Sequence, residues 1–247
     1  MENINNILNK FQPISLKELD KVKLLNRTDT KYVLPIICLP EILKEIIENY
    51  YILDIDNKRL FAYETLYFDT DNLRMFIAHH NGKLNRYKIR KREYIDSNLN
   101  FLEIKFKNNK GRTIKDRISG EELSPELSDR ARQFIMENSP YDPETLNGQI
   151  TTIFNRVTLV NKKLSERITI DLDLNFHNHL LEKRFPNISI IEVKQDKAEK
   201  NSLLKEKLRE RKIMPNSFSK YCFGTVVTNN KVKTNNFKPG ILKLNKI

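Results

Sequence analysis

The sequence predicts an α+β fold built on an antiparallel β-sheet whose strands each carry one charged face. The clearest observation lies at residues 86–92, where every second position is basic: Arg86, Lys88, Arg90 and Arg92. Because successive side chains of a strand point to opposite faces, these four cations share one face. The positions between and after them are Tyr87, Ile89, Lys91 and Glu93.

The same alternation recurs in four further segments, at residues 102–107, 152–159, 167–174 and 190–194. In each of them one set of alternate positions is mainly apolar and the other is mainly charged or hydroxyl-bearing, with Phe154 and Ile190 on the charged side. The charged positions include Glu103, Lys105, Lys107, Arg156, Arg167, Asp171, Asp173, Glu192 and Lys194. Two arrangements give this pattern: a sheet with one solvated face, or a concave or closed sheet with its charged face turned inward.

The sign of the charge bears on this choice. Four cations spaced about 6.8 Å apart along a strand repel one another by about 0.6 kcal/mol per neighbouring pair in water. An exposed strand tolerates that repulsion, whereas an enclosed face would need a polyvalent anion to neutralise it. Carboxylates among the cations would suit a hard divalent ion, which takes oxygen ligands. The enclosed arrangement therefore predicts a basic cavity that holds a phosphate chain together with a metal ion.

Composition limits the class of protein. The chain has 247 residues, 39% of them hydrophobic, and 44 Lys and Arg against 32 Asp and Glu give a net charge of +12. That surplus favours anionic partners. Cys38 and Cys222 are the only cysteines, which suits a reducing compartment. The first residues lack the features of a signal peptide, and no apolar run reaches 18 residues, so we expect a cytoplasmic protein without a transmembrane segment.

The N-terminal half is predicted to mix helices and strands. Ser15 and Glu18 have the spacing of a capping box and predict a short helix over about 15–25. A basic strand at 26–35 precedes an amphipathic helix at 40–48 that begins at Pro40. Further strands are predicted at 50–54, 64–69, 86–95, 101–107 and 112–119, with a hairpin turn at 108–111.

The C-terminal half is predicted to begin with a helix from Ser124 to about 137, followed by strands at 150–160, 166–175 and 189–194. A charged surface helix at 198–212 and a final helix at 216–228, opened by Asn216 or Ser217, complete the pattern. We expect a single domain over residues 1–228 and a basic tail, loose or weakly docked, over residues 229–247. The pairs His79-His80 and His177/His179 are interpreted as turn and loop residues.

Eight segments together resemble a known family. They are NRTDTKYVLP, ETLYFDT, RKREY, FLEIKFKNNKGRTIKDR, IFNRV, ERITIDLDL, IEVK and SFSKY, in that order between about residues 26 and 221. In order and spacing the chain resembles the VTC domain, the polyphosphate polymerase domain of the triphosphate tunnel metalloenzyme superfamily. This resemblance implies a closed antiparallel β-barrel with a basic polar lumen, the tunnel, and helices packed on the outside.

The resemblance also implies an activity and the residues that serve it. VTC domains extend inorganic polyphosphate from the terminal phosphate of a nucleoside triphosphate, here expected to be ATP, with Mn²⁺ or Mg²⁺. The residues that resemble the tunnel cations of the family are Lys31, Arg90, Arg92, Lys105, Arg156 and Arg167. Lys194, on the same face as Glu192, would also point at phosphate. Substrate binding is also expected of Lys88, Glu103, Lys115, Ser219 and Lys220.

Metal binding is expected of Glu192, in the motif IEVK. Many tunnel enzymes carry a first acidic motif E-x-E-x-K near the N-terminus, whereas residues 27–31 here read RTDTK, with at most one carboxylate. This departure fits the polymerase branch better than the hydrolase branch. Asp171 and Asp173 are interpreted either as partners of arginines or as additional metal ligands.

Three functions remain open from the sequence. The first is the polymerase, the second a triphosphate or polyphosphate hydrolase of the same fold, and the third a non-catalytic polyphosphate-binding module. Nucleic acid is disfavoured, because stacking on bases needs aromatic side chains on the binding face and only Tyr94 and Phe154 are candidates. Some relatives are fused to membrane segments, and whether a membrane protein receives the product is left open.

Overall fold

An eleven-stranded sheet is the frame of the structure, a computed structural model that describes residues 3–19, 22, 24, 26–199 and 201–237. The strands are β1 (Gln12–Ile14), β2 (Arg27–Pro35), β3 (Tyr50–Leu53), β4 (Phe61–Thr70), β5 (Arg86–Tyr94), β6 (Leu99–Lys107), β7 (Thr113–Ser119), β8 (Leu146–Asn161), β9 (Glu166–His177), β10 (Glu182–Phe185) and β11 (Ile188–Asp196). The strand segments expected from alternation are confirmed, and β4 and β8 extend beyond their predicted ends.

The main path of the sheet runs β2-β11-β9-β8-β4-β5-β6-β7, and every pair along it is antiparallel. β10 extends β9, β3 pairs with β8, and β1 adds to β3 in parallel. Among the described residues, β2 and β7 at the two ends are not hydrogen-bonded to each other. The predicted antiparallel sheet with helices is therefore confirmed, while hydrogen bonds do not close it into a ring.

Seven α-helices accompany the sheet in the described ranges: α1 (Ile4–Leu8), α2 (Leu16–Leu19), α3 (Leu39–Ile46), α4 (Arg74–His80), α5 (Asp129–Asn138), α6 (Leu203–Glu210) and α7 (Lys220–Thr228). Short 3₁₀ turns occupy Ile36–Cys38, Ile47–Asn49, Ile95–Ser97 and Pro143–Thr145. The capping box is confirmed: the Ser15 backbone N–H donates to Glu18 Oε2 at 3.0 Å, and the Glu18 N–H donates to Ser15 Oγ at 3.3 Å. The predicted helix extends beyond α2 into residues that lie partly outside the described ranges.

The apolar faces of the strands pack against these helices. Ile170, Ile191 and Val193 are fully buried in one cluster with α3 and α6, whose leucines Leu204 and Leu208 are also buried. On the other side, Ile89, Leu102 and Ile104 share a cluster with Ala131 and Ile135 of α5. Burial of these side chains stabilises the sheet on its mainly aliphatic faces. The expected separation of aliphatic and charged faces is confirmed for β6, whereas on β5 the buried Lys91 lies on the aliphatic face, where its Nζ donates to the Glu126 carbonyl.

Several local predictions were wrong. α5 begins after Ser128, whose Oγ accepts from the Ala131 N–H, rather than at Ser124. α7 begins after Ser219 rather than at Asn216 or Ser217. His79 and His80, expected in a turn, end α4, which the sequence pattern did not reveal.

The C-terminal segment is docked as far as it is described. Phe237 lies 5.9 Å from the ring of Phe76 and 5.6 Å from that of His80, between ring centroids. The remainder of the predicted tail, residues 238–247, lies outside the described residues. No helix in the described part of the chain has the length and apolar character needed to cross a membrane.

Candidate functional site

The basic face of β5 forms one wall of the candidate site. Arg90 donates from Nε to Glu103 Oε2 at 2.6 Å and from Nη1 to the hydroxyl of Tyr67 at 3.3 Å. Arg92 is 8% exposed and donates from Nε to Thr65 Oγ1 at 3.1 Å. Lys88 donates from Nζ to Ser219 Oγ at 2.7 Å. Arg86, by contrast, donates to the Lys83 carbonyl in the preceding turn, at the rim.

Three lysines stand side by side on neighbouring strands. Lys88 of β5 is directly opposite Lys105 of β6, which in turn is directly opposite Lys115 of β7. Directly opposed residues point to the same face, so the three ammonium groups repel one another. Burial, followed by repulsion from Lys88 and Lys115, lowers the pKa of Lys105 to about 7.

Lys115 differs from its neighbour in exposure. Desolvation and the nearby Arg90 and Lys194 lower its pKa to about 8. Its side chain nevertheless keeps contact with solvent on the edge strand, which screens its charge. Lys105 is therefore the member of the row that titrates nearest neutrality.

Glu103 is the carboxylate set among these cations. Burial raises the pKa of its carboxyl, but Arg90 and Arg92 lower it further than burial raises it, to about 2. Glu103 is thus ionised under all physiological conditions. Its side chain is 15% exposed and that of Arg90 is 18% exposed, so the pair is mostly shielded from water.

A second charged pair joins β8 to β9. Arg156 donates to both carboxylate oxygens of Asp171, from Nε at 2.6 Å and from Nη2 at 2.9 Å. Lys220 of α7 also contacts Asp171. Burial raises the pKa of Asp171, but Arg156 and Lys220 lower it to about 2. This agrees with the first interpretation of Asp171, as the partner of an arginine.

Glu192 lies between two lysines at the β2–β11 edge. Lys31 Nζ is 3.5 Å from Glu192 Oε1, and Lys194 Nζ is 3.2 Å from Glu192 Oε2. Burial raises the pKa of Glu192, but Lys194 and Lys31 hold it well below its ordinary value. Arg167 is directly opposite Lys194 on β9 and helps to lower the pKa of Lys194, for which burial is the larger cause.

The N-terminus of α7 reaches this charged region. Ser219 caps the helix, and its Oγ accepts from the Cys222 N–H at 3.3 Å. Lys31 donates from Nζ to the carbonyl of Phe218 at 3.0 Å, so β2 and β5 both hold the segment that precedes the helix. Ser219 and Lys220, both expected to bind substrate, therefore lie together beside the cations of three strands.

α7 is anchored by Asp69, a fully buried carboxylate at the end of β4. Asp69 accepts from the backbone N–H groups of Met75 and Phe76, both at 2.9 Å, and from the hydroxyl of Tyr221. One carboxylate thus holds α4 and α7 together. Gly224 lets α7 approach the sheet, because a Cβ there would lie 2.7 Å from Phe176 Cδ1.

The structure brings the predicted site residues into one region. Lys194 and Glu192 on β11 both shift the pKa of Lys115 on β7, although five strands separate β7 from β11 in the sheet. Lys31 likewise acts on Lys105. The sheet therefore curves so that its charged face is concave. The cations gathered there are Lys31, Lys88, Arg90, Arg92, Lys105, Lys115, Arg156, Arg167, Lys194 and Lys220.

Sequence reasoning missed the contribution of β4. Tyr63, Thr65 and Tyr67 lie on one face of this strand, directly opposite Tyr94, Arg92 and Arg90 of β5. Arg156 lies over the ring of Tyr63, 5.0 Å from its centroid. These residues are uncharged, so a search for alternating charge passed over them. Hydroxyl groups at every second position beside a basic strand would have been the signal.

The carboxylates determine how a metal ion would fit. Glu103, Asp171 and Glu192 each pair with basic side chains, and no three metal-binding side chains converge anywhere in the described ranges. Mg²⁺ is commonly held by one or two carboxylates together with substrate phosphate oxygens. Glu192, whose side chain is 21% exposed, fits that mode as a single hard oxygen ligand.

A separate cavity of about 780 Å³ lies outside this region. It is lined by residues of the β8–β9 turn, such as Lys162, and of α6, such as Arg209. None of the predicted site residues lines it. The concave charged face, not this cavity, is therefore where the predicted chemistry is concentrated.

Comparison with known proteins gives one family and several similar folds. The model of the VTC domain family matches residues 26–229. No curated protein matches the sequence. A putative adenylyl cyclase from Hippeastrum with a dominant triphosphatase activity is 14% identical over 81% of this chain and 95% of its own, with a TM-score of 0.50.

Two further solved structures are less similar. A putative adenylate cyclase from Vibrio parahaemolyticus is 10% identical over 80% of this chain and 96% of its own, with a TM-score of 0.44. A protein from Pyrococcus horikoshii is 15% identical over 83% of this chain and 99% of its own, with a TM-score of 0.43. At such low identity, the likeness to the Hippeastrum protein shows a shared fold alone.

Proposed function

The chain belongs to the VTC domain family, and we propose that it is a metal-dependent phosphotransferase that extends inorganic polyphosphate from the terminal phosphate of a nucleoside triphosphate. The observation that carries this proposal is the row Lys88–Lys105–Lys115 on the concave face of the sheet. Like charges directly opposite one another destabilise the free protein, and a bound polyanion would neutralise them. A chain of phosphates supplies one negative charge after another along such a row.

The proposal includes enclosure of this face as a tunnel. It is supported by the effect of Lys194 of β11, whose charge helps to lower the pKa of Lys115 of β7 at the other end of the sheet. A tunnel would hold the polymer along its length and keep bulk water from the reacting phosphate. The low surrounding dielectric would strengthen each contact between arginine and phosphate.

The proposed reaction requires little covalent chemistry from the protein itself. Phosphoryl transfer through a loose transition state requires alignment of the reacting groups and compensation of charge on the transferred phosphoryl. An oxygen of the terminal phosphate of the chain bonds to the γ-phosphorus as the bond from that phosphorus to the bridging β-oxygen breaks. The polymer grows by one phosphate, and a nucleoside diphosphate leaves.

The roles proposed for individual residues follow from their chemistry. Arg90, Arg92 and Arg156 present planar guanidinium groups that stay charged and bind phosphate oxygens bidentately. Lys31, Lys105, Arg167 and Lys194 would hold the triphosphate or polymer as further cations. Lys88, Glu103, Lys115, Ser219 and Lys220 would bind or orient it at the sides and at the α7 end.

Glu192 would hold Mn²⁺ or Mg²⁺ together with phosphate oxygens. Such an ion would neutralise charge on the phosphates and on the departing diphosphate. Lys31 and Lys194 keep Glu192 ionised, as a ligand of a hard cation must be. ATP is the expected nucleotide, and no nucleic acid is expected as a substrate.

The test is incubation of the protein with ATP and Mn²⁺, with and without a short polyphosphate primer, and separation of the products by gel electrophoresis. A ladder of long chains supports the polymerase. Release of orthophosphate without chain growth would show a hydrolase instead of a polymerase. The Hippeastrum protein, which has a similar fold, has a dominant triphosphatase activity. Polyphosphate binding without any turnover would leave only a binding module.

A further inference from the structure

The hydroxyl of Tyr67 lies between the basic face of β5 and helix α7. Tyr67 belongs to the segment ETLYFDT, but neither the charge pattern nor the family resemblance gave it a role. Tyr67 is on β4, directly opposite Arg90, and is 5% exposed. The register of β4 against β8 shifts immediately after it, between Tyr67 and Phe68. Such irregularities re-aim side chains next to binding sites.

The ring of Tyr67 is held in one orientation. Its centroid is 5.3 Å from that of Tyr221, with the rings stacked at 28°. Tyr221 is itself fixed by its bond to the buried carboxylate of Asp69. The position of the Tyr67 hydroxyl is therefore set by the same anchor that places α7.

The hydrogen bonds of this hydroxyl leave its proton available. Arg90 Nη1 donates to the oxygen at 3.3 Å, so the phenol acts there as an acceptor. A tyrosine hydroxyl also has one proton to donate. Among the residues that the structure describes, none accepts that proton. A phosphate oxygen is the kind of acceptor that this cationic surrounding would hold.

The electrostatic surroundings agree with such a contact. Burial raises the pKa of Tyr67, yet nearby cations leave it below the ordinary value of a tyrosine. These cations are Arg90, Arg92, Lys88 and Lys220. A hydroxyl with a lowered pKa is a stronger hydrogen-bond donor, and this one is adjacent to the proposed phosphate-binding cations of both β5 and α7.

We propose that Tyr67 is a catalytic residue whose hydroxyl donates a hydrogen bond to an oxygen of the phosphoryl group being transferred, while Arg90 holds the phenol oxygen in place. This inference rests on the proposed phosphotransferase function and adds to it a neutral donor among the cations. Arg90 then links Glu103, Tyr67 and the substrate in one network.

The test compares Tyr67→Phe with the wild-type protein in polymerisation from ATP and Mn²⁺. Loss of one hydrogen bond to a charged oxygen predicts a fall in kcat/KM of about 10- to 100-fold. Binding of preformed polyphosphate should stay within about threefold, because many cations share the polymer. Tyr87→Phe is the matched control: Tyr87 is on the opposite face of β5, stacked on Phe106 at 4.4 Å.

The expected activity of the Tyr87→Phe control is within about twofold of wild type. A kcat/KM of Tyr67→Phe within about threefold of wild type would overturn the inference, because loss of a hydrogen bond to a charged oxygen predicts a larger fall. An inactive wild-type protein would instead defeat the proposed function itself, so the two failures are distinguishable.

A second substitution keeps the inference testable if Tyr67→Phe does not fold. Incorporation of 3-fluorotyrosine at position 67 preserves the hydroxyl and lowers the pKa of the phenol. Lys105 loses its charge first as pH rises, so the profile is measured in the Lys105→Met background, with and without the fluorine. A donating phenol predicts that the remaining alkaline fall of kcat/KM moves to lower pH by a comparable amount. No shift between these two proteins would contradict donation by Tyr67.

Discussion

Lys105 is directly opposite Lys88 on the neighbouring strand, and their ammonium groups point to the same concave face of the sheet. Burial is the largest cause that lowers the pKa of each, and for Lys105 the pKa reaches about 7. The free protein therefore holds part of its binding surface with a weakened charge. A polyanion restores that charge when it binds, which links binding to proton uptake.

Proton uptake on binding is the first prediction. Between about pH 7 and the ordinary lysine value of 10.5, free Lys105 is largely neutral, and bound phosphate raises its pKa, so binding takes up protons. Affinity for polyphosphate should therefore fall as pH rises through this window. Calorimetry at slightly alkaline pH, in buffers of different ionisation enthalpy, measures the number of protons taken up.

The control for this experiment lies on the same strand. Lys105→Met should reduce the proton uptake, whereas Lys107→Met, at the rim of β6, should leave it nearly unchanged. In the absence of ligand the sign for stability is the reverse: the unfolded chain binds more protons at Lys105 in this window, so stability rises with pH. Binding without proton uptake in the wild-type protein would contradict the assignment of Lys105.

Separation of turnover from binding is the second prediction, at Glu192. Glu192→Gln removes the proposed metal ligand and should lower kcat by about 100-fold or more, since a bound metal supplies several kcal/mol of charge stabilisation. Polyphosphate binding should be equal or tighter, because a carboxylate that repels phosphate is gone. The measurements are polymerisation rates and polyphosphate titrations of the same preparation.

The control for Glu192 is Glu210→Gln, a carboxylate paired with Lys207 on the surface of α6. This variant should match wild type in both assays. Glu192→Gln with full turnover would remove Glu192 from the metal site. Loss of polyphosphate binding in that variant would show that Glu192 instead organises the cations around it.

The Arg90–Glu103 pair gives the third prediction. Arg90→Met leaves the shielded carboxylate of Glu103 without its partner, which should cost about 3 kcal/mol of unfolding free energy. The double variant Arg90→Met/Glu103→Met removes both charges and should recover most of that loss. Chemical denaturation measures both values.

Function should not recover with stability in this pair. Both variants lack the Arg90 guanidinium, so polyphosphate binding and turnover should stay impaired in the double variant as well. Full binding by the double variant would show that Arg90 serves only to neutralise Glu103. An Arg90→Met protein as stable as wild type would show that solvent already compensates the charge of Glu103.

The approach of α7 to the sheet gives the fourth prediction. In Gly224→Ala, the new Cβ would lie 2.7 Å from Phe176 Cδ1 and 3.1 Å from Ile150 Cγ1. The helix or the Phe176 ring must move, at a cost of about 1 to 3 kcal/mol. Because Ser219 and Lys220 move with the helix, polyphosphate binding should also weaken.

A compensating substitution checks this cause. Phe176→Leu in the Gly224→Ala background removes the ring that the new methyl group meets and should recover part of the binding. Thermal unfolding and polyphosphate titration of the three proteins give the comparison. A Gly224→Ala protein with wild-type stability would show that α7 adjusts without strain.

The strands were the most predictable part of the fold. Alternation of apolar and charged residues in the predicted strands 86–95 and 101–107 locates β5 and β6, because the period of two follows directly from strand geometry. The family resemblance is confirmed by the match over residues 26–229. β10, with three exposed residues among four, lacks the apolar alternation that would have revealed it.

Helix α4 was not predicted, because it begins without a local side-chain cap. Leu73, which precedes it, adopts φ 53°; Asp69 at the end of β4 accepts from the backbone N–H groups of Met75 and Phe76 in the first turn of the helix instead. The start of α7 was misplaced for a non-local reason. At α7, Asn216 and Ser217 were equally good caps by sequence. Lys88 bonds to Ser219 from another strand, a tertiary contact that favours Ser219 and that local patterns do not contain.

The most direct measurement for the central claim is the ratio of products formed from γ-labelled ATP with Mn²⁺. Enclosure of the phosphates by the concave cationic face predicts that ADP accumulates while the label enters chains of increasing length, with little free orthophosphate. ADP and orthophosphate released in equal amounts, with no label in longer chains, would contradict it.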